Sequence, residues 1–332
     1  MIPRRLLPVS VLAASGLALA GCAGGAGEAD GGSADAAPIV ASTNVYASLA
    51  QALVGDATDV AAVIDDATQD PHAYEASARD RLAVQDADLV ILNGGGYDPF
   101  MEELVGEGAA VITAVEYAHD FPGNAGHEHE GEEAHADEEE HDHAEGEGHE
   151  GHDHIEGFNE HVWYDAHTMI HVVEALAEEI GHELPDLVDP AELAANRDAL
   201  VAELEGIEAR LEALAPDHEG EGVFLTEPIG GYLAVPVGLK DVTPEGFAES
   251  VEEGQDVAPA TLLDATRVLE SGDVAVVLAN AQTGGGETER VISTAEAQGV
   301  PVVELSELLT GDQTYVQWMT ANVDALEAAL AG

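Results

Sequence analysis

The stretch Asp70-Pro71-His72-Ala73-Tyr74-Glu75 places an imidazole in a segment that has neither helical nor strand periodicity. Pro71 fixes its own φ angle and biases Asp70 away from the helical region, so His72 is presented from a stiff turn. Neutral imidazole is a common ligand of zinc and of neighbouring transition metals. We therefore predict that His72 is the first ligand of a metal site.

Three more side chains that could bind a metal stand at the borders of predicted secondary structure. His161 comes just before a predicted helix, and Glu227 and Glu307 each follow a predicted strand, as His72 does. Ligands of α/β lobes bind at the carboxyl ends of the strands. This shared placement supports a common site for the four residues.

An acidic tract rich in histidine interrupts the chain between residues 127 and 154. Its 28 residues contain eight histidines and 13 acids but no Lys or Arg, and alanine is almost the only apolar residue, so we expect a disordered loop over 123–157. The tract is interpreted as a weak auxiliary collector of metal ions, and a solvated spacer is the alternative. The histidines are His127, His129, His135, His141, His143, His149, His152 and His154.

The overall charge is strongly negative. The chain of 332 residues has 67 acidic and 9 basic residues, a formal net charge of −58. Such a chain is not expected to bind nucleic acid or an anionic membrane surface, whereas it attracts cations. Solubility in a salty environment is an equally good reason for the charge.

The first residues are typical of an exported lipoprotein. Arg4 and Arg5 precede an apolar run over 6–20 that is shorter than a typical transmembrane helix. The run ends in Leu19-Ala20-Gly21-Cys22, which resembles the lipobox of bacterial lipoproteins, and Cys22 is the only cysteine. We expect an extracytoplasmic protein that is anchored to the cell membrane by a lipid on Cys22. A plain secretory signal with an incidental cysteine is the alternative.

Strands and helices alternate along the rest of the chain, which predicts two α/β lobes with parallel sheets. A helix that begins at Asp189-Pro190 is expected to run some 25 residues, or roughly 38 Å, until Pro216 ends it. The predicted parts are a signal peptide 1–21, a tether 22–37, an N-terminal lobe 38–188, a connecting helix 189–216 and a C-terminal lobe 217–332.

Together these motifs resemble the metal-binding lipoproteins of bacterial zinc and manganese ABC importers, the cluster A-I solute-binding proteins, over essentially the whole mature chain. The matching features are Asp-Pro-His72-x-Tyr-Glu, Asn93-Gly-x-Gly-x-Asp-Pro, Glu160-His161-Val-Trp, the His-rich insertion, the long helix, Glu227 with Tyr232, and Ser306-Glu307. The resemblance implies two α/β lobes bridged by one long rigid α-helix, with the metal in the cleft between them. Its partners would be an ABC permease and its ATPase.

Carried over by motif, the resemblance implies that His72, His161, Glu227 and Glu307 are the metal ligands. Zinc-type members usually have a third His at the position of Glu227, and an Asp is common at that of Glu307. The residues around Glu307 are generic, so Asn280, Gln282 or a nearby Asp could take its place. No catalytic residue is implied.

The donor set and the loop favour different ions. Two imidazoles and two carboxylates suit Mn²⁺ and also bind Zn²⁺. An imidazole-rich loop holds manganese poorly, so zinc is favoured. We expect a monomer that captures zinc for an ABC importer. The alternatives are a manganese-specific protein of the same class, a surface adhesin or passive zinc store, and, least favoured, a zinc hydrolase, for which no general base is evident.

Overall fold

Two four-stranded sheets, each built only from parallel strands, organise the protein. The computed structural model describes residues 37–106, 108–122, 155 and 157–332. The predicted signal peptide, Cys22, the tether up to residue 36 and the eight histidines of the acidic tract lie outside these residues. None of the described helices is both long enough and apolar enough to cross a bilayer.

The first sheet has the order β2-β1-β3-β4. Its strands are short, and their successive side chains point to opposite faces of the sheet, both of which are apolar. In β3, Leu89 and Ile91 pack into one cluster of buried side chains, and Val90 and Leu92 pack into another on the opposite face. The strands are β1 (Ile39–Thr43), β2 (Ala61–Ile64), β3 (Leu89–Leu92) and β4 (Ala110–Thr113).

The second sheet repeats this arrangement with the order β6-β5-β7-β8. The two sheets and the helices packed on them confirm the predicted α/β architecture. Strand β6, of two residues, was not predicted. The strands are β5 (Gly222–Leu225), β6 (Lys240–Asp241), β7 (Val274–Asn280) and β8 (Val302–Leu305).

Eleven α-helices surround the sheets in the part of the chain that the structure describes. In the first half they are α1 (Asn44–Val54), α2 (Ala78–Gln85), α3 (Pro99–Leu104), α4 (Ala166–Glu183) and α5 (Pro190–Glu212). In the second half they are α6 (Ala215–His218), α7 (Gly231–Val237), α8 (Phe247–Glu252), α9 (Pro259–Ser271), α10 (Gly286–Gln298) and α11 (Tyr315–Leu330).

The long helix α5 is 23 residues long, which corresponds to about 35 Å. Asp189 caps it by accepting a hydrogen bond from the Ala191 N–H at 2.9 Å. The helix ends at Glu212, so the expected end near residue 215 was wrong. Pro216 stands in the first turn of α6 instead, where its fixed φ is tolerated and its missing N–H costs nothing.

One continuous apolar cluster takes side chains from both sheets and from the helices between them. It includes Ile39 of β1, Val276 of β7, Leu204 of α5 and Trp318 of α11. The buried face of α5 is part of this shared cluster, so the helix packs against side chains that also contact both sheets. The lobe boundaries along the chain stay a prediction.

The three glycines after β3, Gly94 to Gly96, all have positive φ angles and form a tight turn. Gly94 has φ +80°, and a Cβ at this position would lie 2.5 Å from the Thr113 side chain. Asp98 closes the turn, since its carboxylate accepts hydrogen bonds from the N–H groups of Asn93 at 2.7 Å and Gly94 at 2.8 Å. The Asn93 side chain then donates to the Glu160 carbonyl at 2.9 Å. The turn thus holds the residue that precedes His161.

We predict that Asp98→Asn lowers the free energy of unfolding by about 1–3 kcal/mol, because an amide has one acceptor oxygen and leaves one of the two buried N–H groups without a partner. Chemical denaturation followed by circular dichroism measures the change. The exposed Asp88 provides the control Asp88→Asn. Equal stability of the two variants would contradict the bracing role of Asp98.

Candidate metal centre

His72 lies in the loop between β2 and α2, as the sequence predicts. The Asp70 carboxylate accepts a hydrogen bond from the His72 backbone N–H at 2.9 Å, which closes a local turn around Pro71. The His72 ring is buried, and it packs against Tyr97 with ring centroids 4.9 Å apart in an edge-on arrangement. The loop therefore directs the imidazole into the interior.

His161 precedes the short 3-10 helix Val162–Tyr164 and is fully buried. Its Nδ1 lies 2.9 Å from the Oδ1 of Asn159. The Asn159 amide donates from Nδ2 to the Pro228 carbonyl at 3.0 Å, and this bond leaves the amide oxygen facing His161. An amide oxygen only accepts, so Nδ1 carries the proton and Nε2 is the nitrogen with a lone pair that can bind a metal.

Glu307 follows β8, and side chains from elsewhere in the fold fix its loop. The Glu307 N–H makes a short hydrogen bond to Oε1 of Gln282, and the same oxygen accepts from Leu308 N–H at 3.1 Å. The Asn44 side chain of α1 bonds both backbone groups of Leu309, at 3.0 and 3.1 Å. Side chains from both halves of the chain thus hold the loop that carries Glu307.

These three side chains converge. His72 Nε2 lies 3.8 Å from Glu307 Oε2, and His161 Nε2 lies 4.0 Å from Glu307 Oε1. One ligand atom from each of the three residues lies within 4.8 Å of the other two. Two ligands that bind one zinc ion at about 2.2 Å each can be up to about 4.4 Å apart. Both distances to Glu307 fall below this limit, so each histidine lies within range of an ion that Glu307 would bind.

Glu227 follows β5 and is buried, but hydrogen bonds hold its carboxylate. Thr283 Oγ1 donates to it at 2.5 Å, and Asn280 Nδ2 donates to Oε2 at 2.7 Å. The same Asn280 amide donates to Glu307 Oε1 at 2.8 Å. Asn280 therefore lies between the two carboxylates as a shared neutral donor.

The alternatives considered for Glu307 have other roles in this structure. The Asn280 amide nitrogen contacts the two carboxylates, while its oxygen accepts from the Gln282 N–H at 3.0 Å. The Gln282 oxygen accepts the N–H groups of the Glu307 loop, and its nitrogen donates to the Ala67 carbonyl. Both amides position the loops around the site.

Two acids beside the site were not predicted. Glu252, at the end of α8, places Oε1 at 3.5 Å from His161 Nε2. Glu252 and Glu160 also each bring a carboxylate oxygen to within 4.8 Å of a His72 ring nitrogen and of each other. Glu160 was quoted only as the neighbour of His161, and Glu252 lies in a run of acids that resembles a solvated surface.

Burial and crowding make these carboxyl groups hard to ionise. Burial raises the pKa of Glu307 to about 8, the charge of Glu227 adds to the rise, and the hydrogen bond from Asn280 opposes it. Burial and neighbouring carboxylates raise the pKa of Glu252 to about 10. Burial also raises the pKa of Glu227. A divalent cation would supply the charge that lets these groups ionise together.

We predict that Glu307→Gln stabilises the metal-free protein at about pH 8.5. The pKa of Glu307 is raised in the folded state from 4.5 to about 8, so the folded protein binds more protons than the unfolded one between these values. Stability therefore falls as the pH rises through this window, by up to about 1.4 kcal/mol for each unit of pKa rise. At about pH 4 the carboxyl is protonated in both states and imposes no such cost.

Urea unfolding of the wild type and the variant in a chelating buffer at both pH values measures the difference. The control is Glu304→Gln, which changes an exposed acid of β8. If the difference in the free energy of unfolding between the wild type and Glu307→Gln were the same at both pH values, ionisation of Glu307 would not be the cause of the instability.

The fold and this cluster define a class of protein: two α/β lobes on a long helix, with a buried set of imidazole and carboxylate donors where the lobes meet. A sequence profile of the family "Zinc-uptake complex component A periplasmic", ZnuA, matches residues 39–329. The chain belongs to this family, whose description is that of a component of an uptake complex.

Curated relatives include the zinc-binding lipoprotein AdcA of Streptococcus pneumoniae serotype 4, which is 26% identical over 286 residues that cover 83% of this chain and 52% of the relative. The zinc-binding protein AdcA of Streptococcus pyogenes serotype M6 is 24% identical over 203 residues, or 60% of this chain and 38% of the relative. The chain thus spans about half the length of the first of these relatives, and less of the second.

Solved structures share the fold. The periplasmic zinc binding protein TroA from Treponema pallidum superposes with a TM-score of 0.66 at 18% identity, over 88% of this chain and 98% of the other. A mutant structure of the laminin-binding adhesin Lmb from Streptococcus agalactiae gives 0.66 at 19% identity, over 89% and 99%.

Proposed function

We propose that this protein captures a divalent transition metal, preferentially Zn²⁺, outside the cytoplasm and delivers it to an ABC permease and its ATPase. The observation that carries the proposal is the convergence of His72, His161 and Glu307, three buried donors within 4.8 Å of one another, in a chain of the zinc-uptake family. Glu227, one hydrogen bond away behind Asn280, is the fourth proposed ligand.

The buried position of the donors supports a capture role. An ion that enters this pocket exchanges water for imidazole nitrogen and carboxylate oxygen, both of which zinc accepts. Binding requires neutral imidazole and ionised carboxylate, so it releases protons and weakens as the pH falls. No residue of the donor set is assigned a catalytic step, and the proposed role is that of a binding protein.

The lipobox-like sequence and the family support the proposed compartment. We propose that Cys22 carries the lipid that anchors the chain to the outer surface of the cytoplasmic membrane. The histidines at 127–154 would gather ions near the anchored domain and pass them to the buried site, because a tract of imidazoles and acids binds zinc weakly at many positions.

The test uses a soluble protein that starts near Pro38 and lacks residues 126–156. Native mass spectrometry should find one tightly held zinc ion. His72→Ala and His161→Ala should each weaken zinc binding by ~100-fold or more, since even changes next to a ligand typically cost 10–100-fold. The matched control is His167→Ala, which removes a half-exposed imidazole that pairs with Glu208 on α5.

Unchanged stoichiometric binding in both His72→Ala and His161→Ala would overturn the proposed site. If the protein without residues 126–156 bound no ion tightly, while the full chain bound many weakly, the protein would be a passive zinc store.

Competition between Zn²⁺ and Mn²⁺ for the same protein tests the preferred ion. We expect zinc to be retained against an excess of manganese, because zinc binds N and O donors more tightly in the divalent series. Inductively coupled plasma mass spectrometry after desalting measures the bound ions. Retention of manganese would mean that the carboxylates, including Glu227, determine selectivity.

A further inference from the structure

Glu252 lies closer to the His161 donor atom than Glu307 does. Its Oε1 is 3.5 Å from His161 Nε2, against 4.0 Å for Glu307 Oε1. Only 8% of the Glu252 side chain is exposed, and Oε1 accepts no hydrogen bond from the described residues. A buried carboxylate oxygen without a hydrogen bond is costly. The cost is offset only when a cation or a proton occupies this position.

Helix α8 directs this side chain inward. Phe247 and Val251 anchor the helix in the outer apolar cluster of the second sheet, where the Phe247 ring meets Phe224 with centroids 5.3 Å apart. With that face fixed, Glu252 points to the histidines, while the next residue, Glu253, is exposed and accepts a hydrogen bond from Gln255 at 2.9 Å. Two adjacent acids thus have opposite environments.

The carboxylate also reaches the other histidine. One oxygen of Glu252, one of Glu160 and a ring nitrogen of His72 lie within 4.8 Å of one another. Glu252 therefore faces both imidazoles. Glu227, in contrast, accepts hydrogen bonds from Thr283 and Asn280 on its two oxygens.

We propose that Glu252 is a direct ligand of the captured ion, together with His72, His161 and Glu307. This inference rests on the proposed metal-capture function and extends its donor set to the connection between β6 and α9. Glu252 would supply a carboxylate in addition to Glu307 and the proposed Glu227, from the last residue of the short helix α8. A hard carboxylate oxygen at this position is compatible with both zinc and manganese.

The competing explanation is that Glu252 only pairs with His161 in the metal-free protein. That pair would have to break before an ion could bind, so removing the carboxylate would leave metal affinity unchanged or increase it. A ligand role predicts the opposite sign. The sign of the change therefore separates the two explanations.

The experiment adds one equivalent of Co²⁺ to the full chain and records its d–d absorption, whose intensity and position report coordination number and donor type. Zinc affinity is then measured by competition with a chromogenic chelator. The variants are Glu252→Gln, Glu227→Gln and the matched control Glu253→Gln. Thermal unfolding without metal verifies that each variant is folded.

We expect Glu252→Gln to change the Co²⁺ spectrum and to lower zinc affinity ~10-fold or more, while Glu253→Gln leaves both unchanged. An unaltered spectrum with unchanged or higher affinity in a folded Glu252→Gln protein would overturn the ligand role. Failure of the wild type itself to bind one Co²⁺ tightly would instead refute the proposed function. A spectrum changed by Glu227→Gln alone would assign the further carboxylate to Glu227 and exclude Glu252.

Discussion

Carboxyl groups that share a buried pocket are costly to ionise, first because they are removed from water and second because they repel one another, and this cost dominates the candidate metal centre. Glu227, Glu252 and Glu307 are all largely removed from solvent. Among the hydrogen bonds described, only Asn280 bridges two of these carboxylates, and it provides no positive charge. Burial raises the pKa of all three carboxyl groups, and a cation bound among them would favour their ionised forms.

The fold places these buried carboxyl groups on loops at the strand ends, where hydrogen bonds to the backbone hold the loops in position. Each lobe ends its parallel strands at the same edge, and the loops beyond them carry the donors. Polar side chains cross between the loops of the two halves: Asn44 bonds the backbone of Leu309, and Asn159 bonds that of Pro228. These hydrogen bonds connect loops of the two halves that carry the proposed donors.

Most of the secondary structure and two histidines of the candidate site could be predicted from the sequence. The sequence drew attention to His72, because Pro71 removes the segment from helix and strand, and to His161, because it stands beside an aromatic pair at a helix entrance. The structure places both in one buried cluster with Glu307, and their role as ligands stays a prediction. Apolar alternation and helix caps predicted most elements to within a few residues. Apolar alternation, helix caps and proline positions depend only on neighbouring residues, so one sequence is enough to recognise them.

The parts that were missed depend on tertiary packing. Strand β6 is two residues long, too short for a periodic pattern. Glu252 and Glu253 are the same residue type side by side, and only the burial of Phe247 and Val251 turns one of them inward. Pro216 was expected to end α5, whereas it lies in the first turn of the next helix, α6. Which of the acids Glu227, Glu252 and Glu307 can contact an ion likewise depends on the tertiary structure.

The two tryptophans of the chain give the site an optical property. The Trp163 ring lies 5.1 Å from that of His161 and 4.4 Å from Tyr97, and Trp318 donates from its indole N–H to the Ser306 hydroxyl at 3.1 Å. Each indole thus borders a segment that carries a proposed ligand. Ultraviolet emission from the unlabelled protein consequently originates beside the proposed site, so an ion that binds there would be followed by fluorescence with no attached dye.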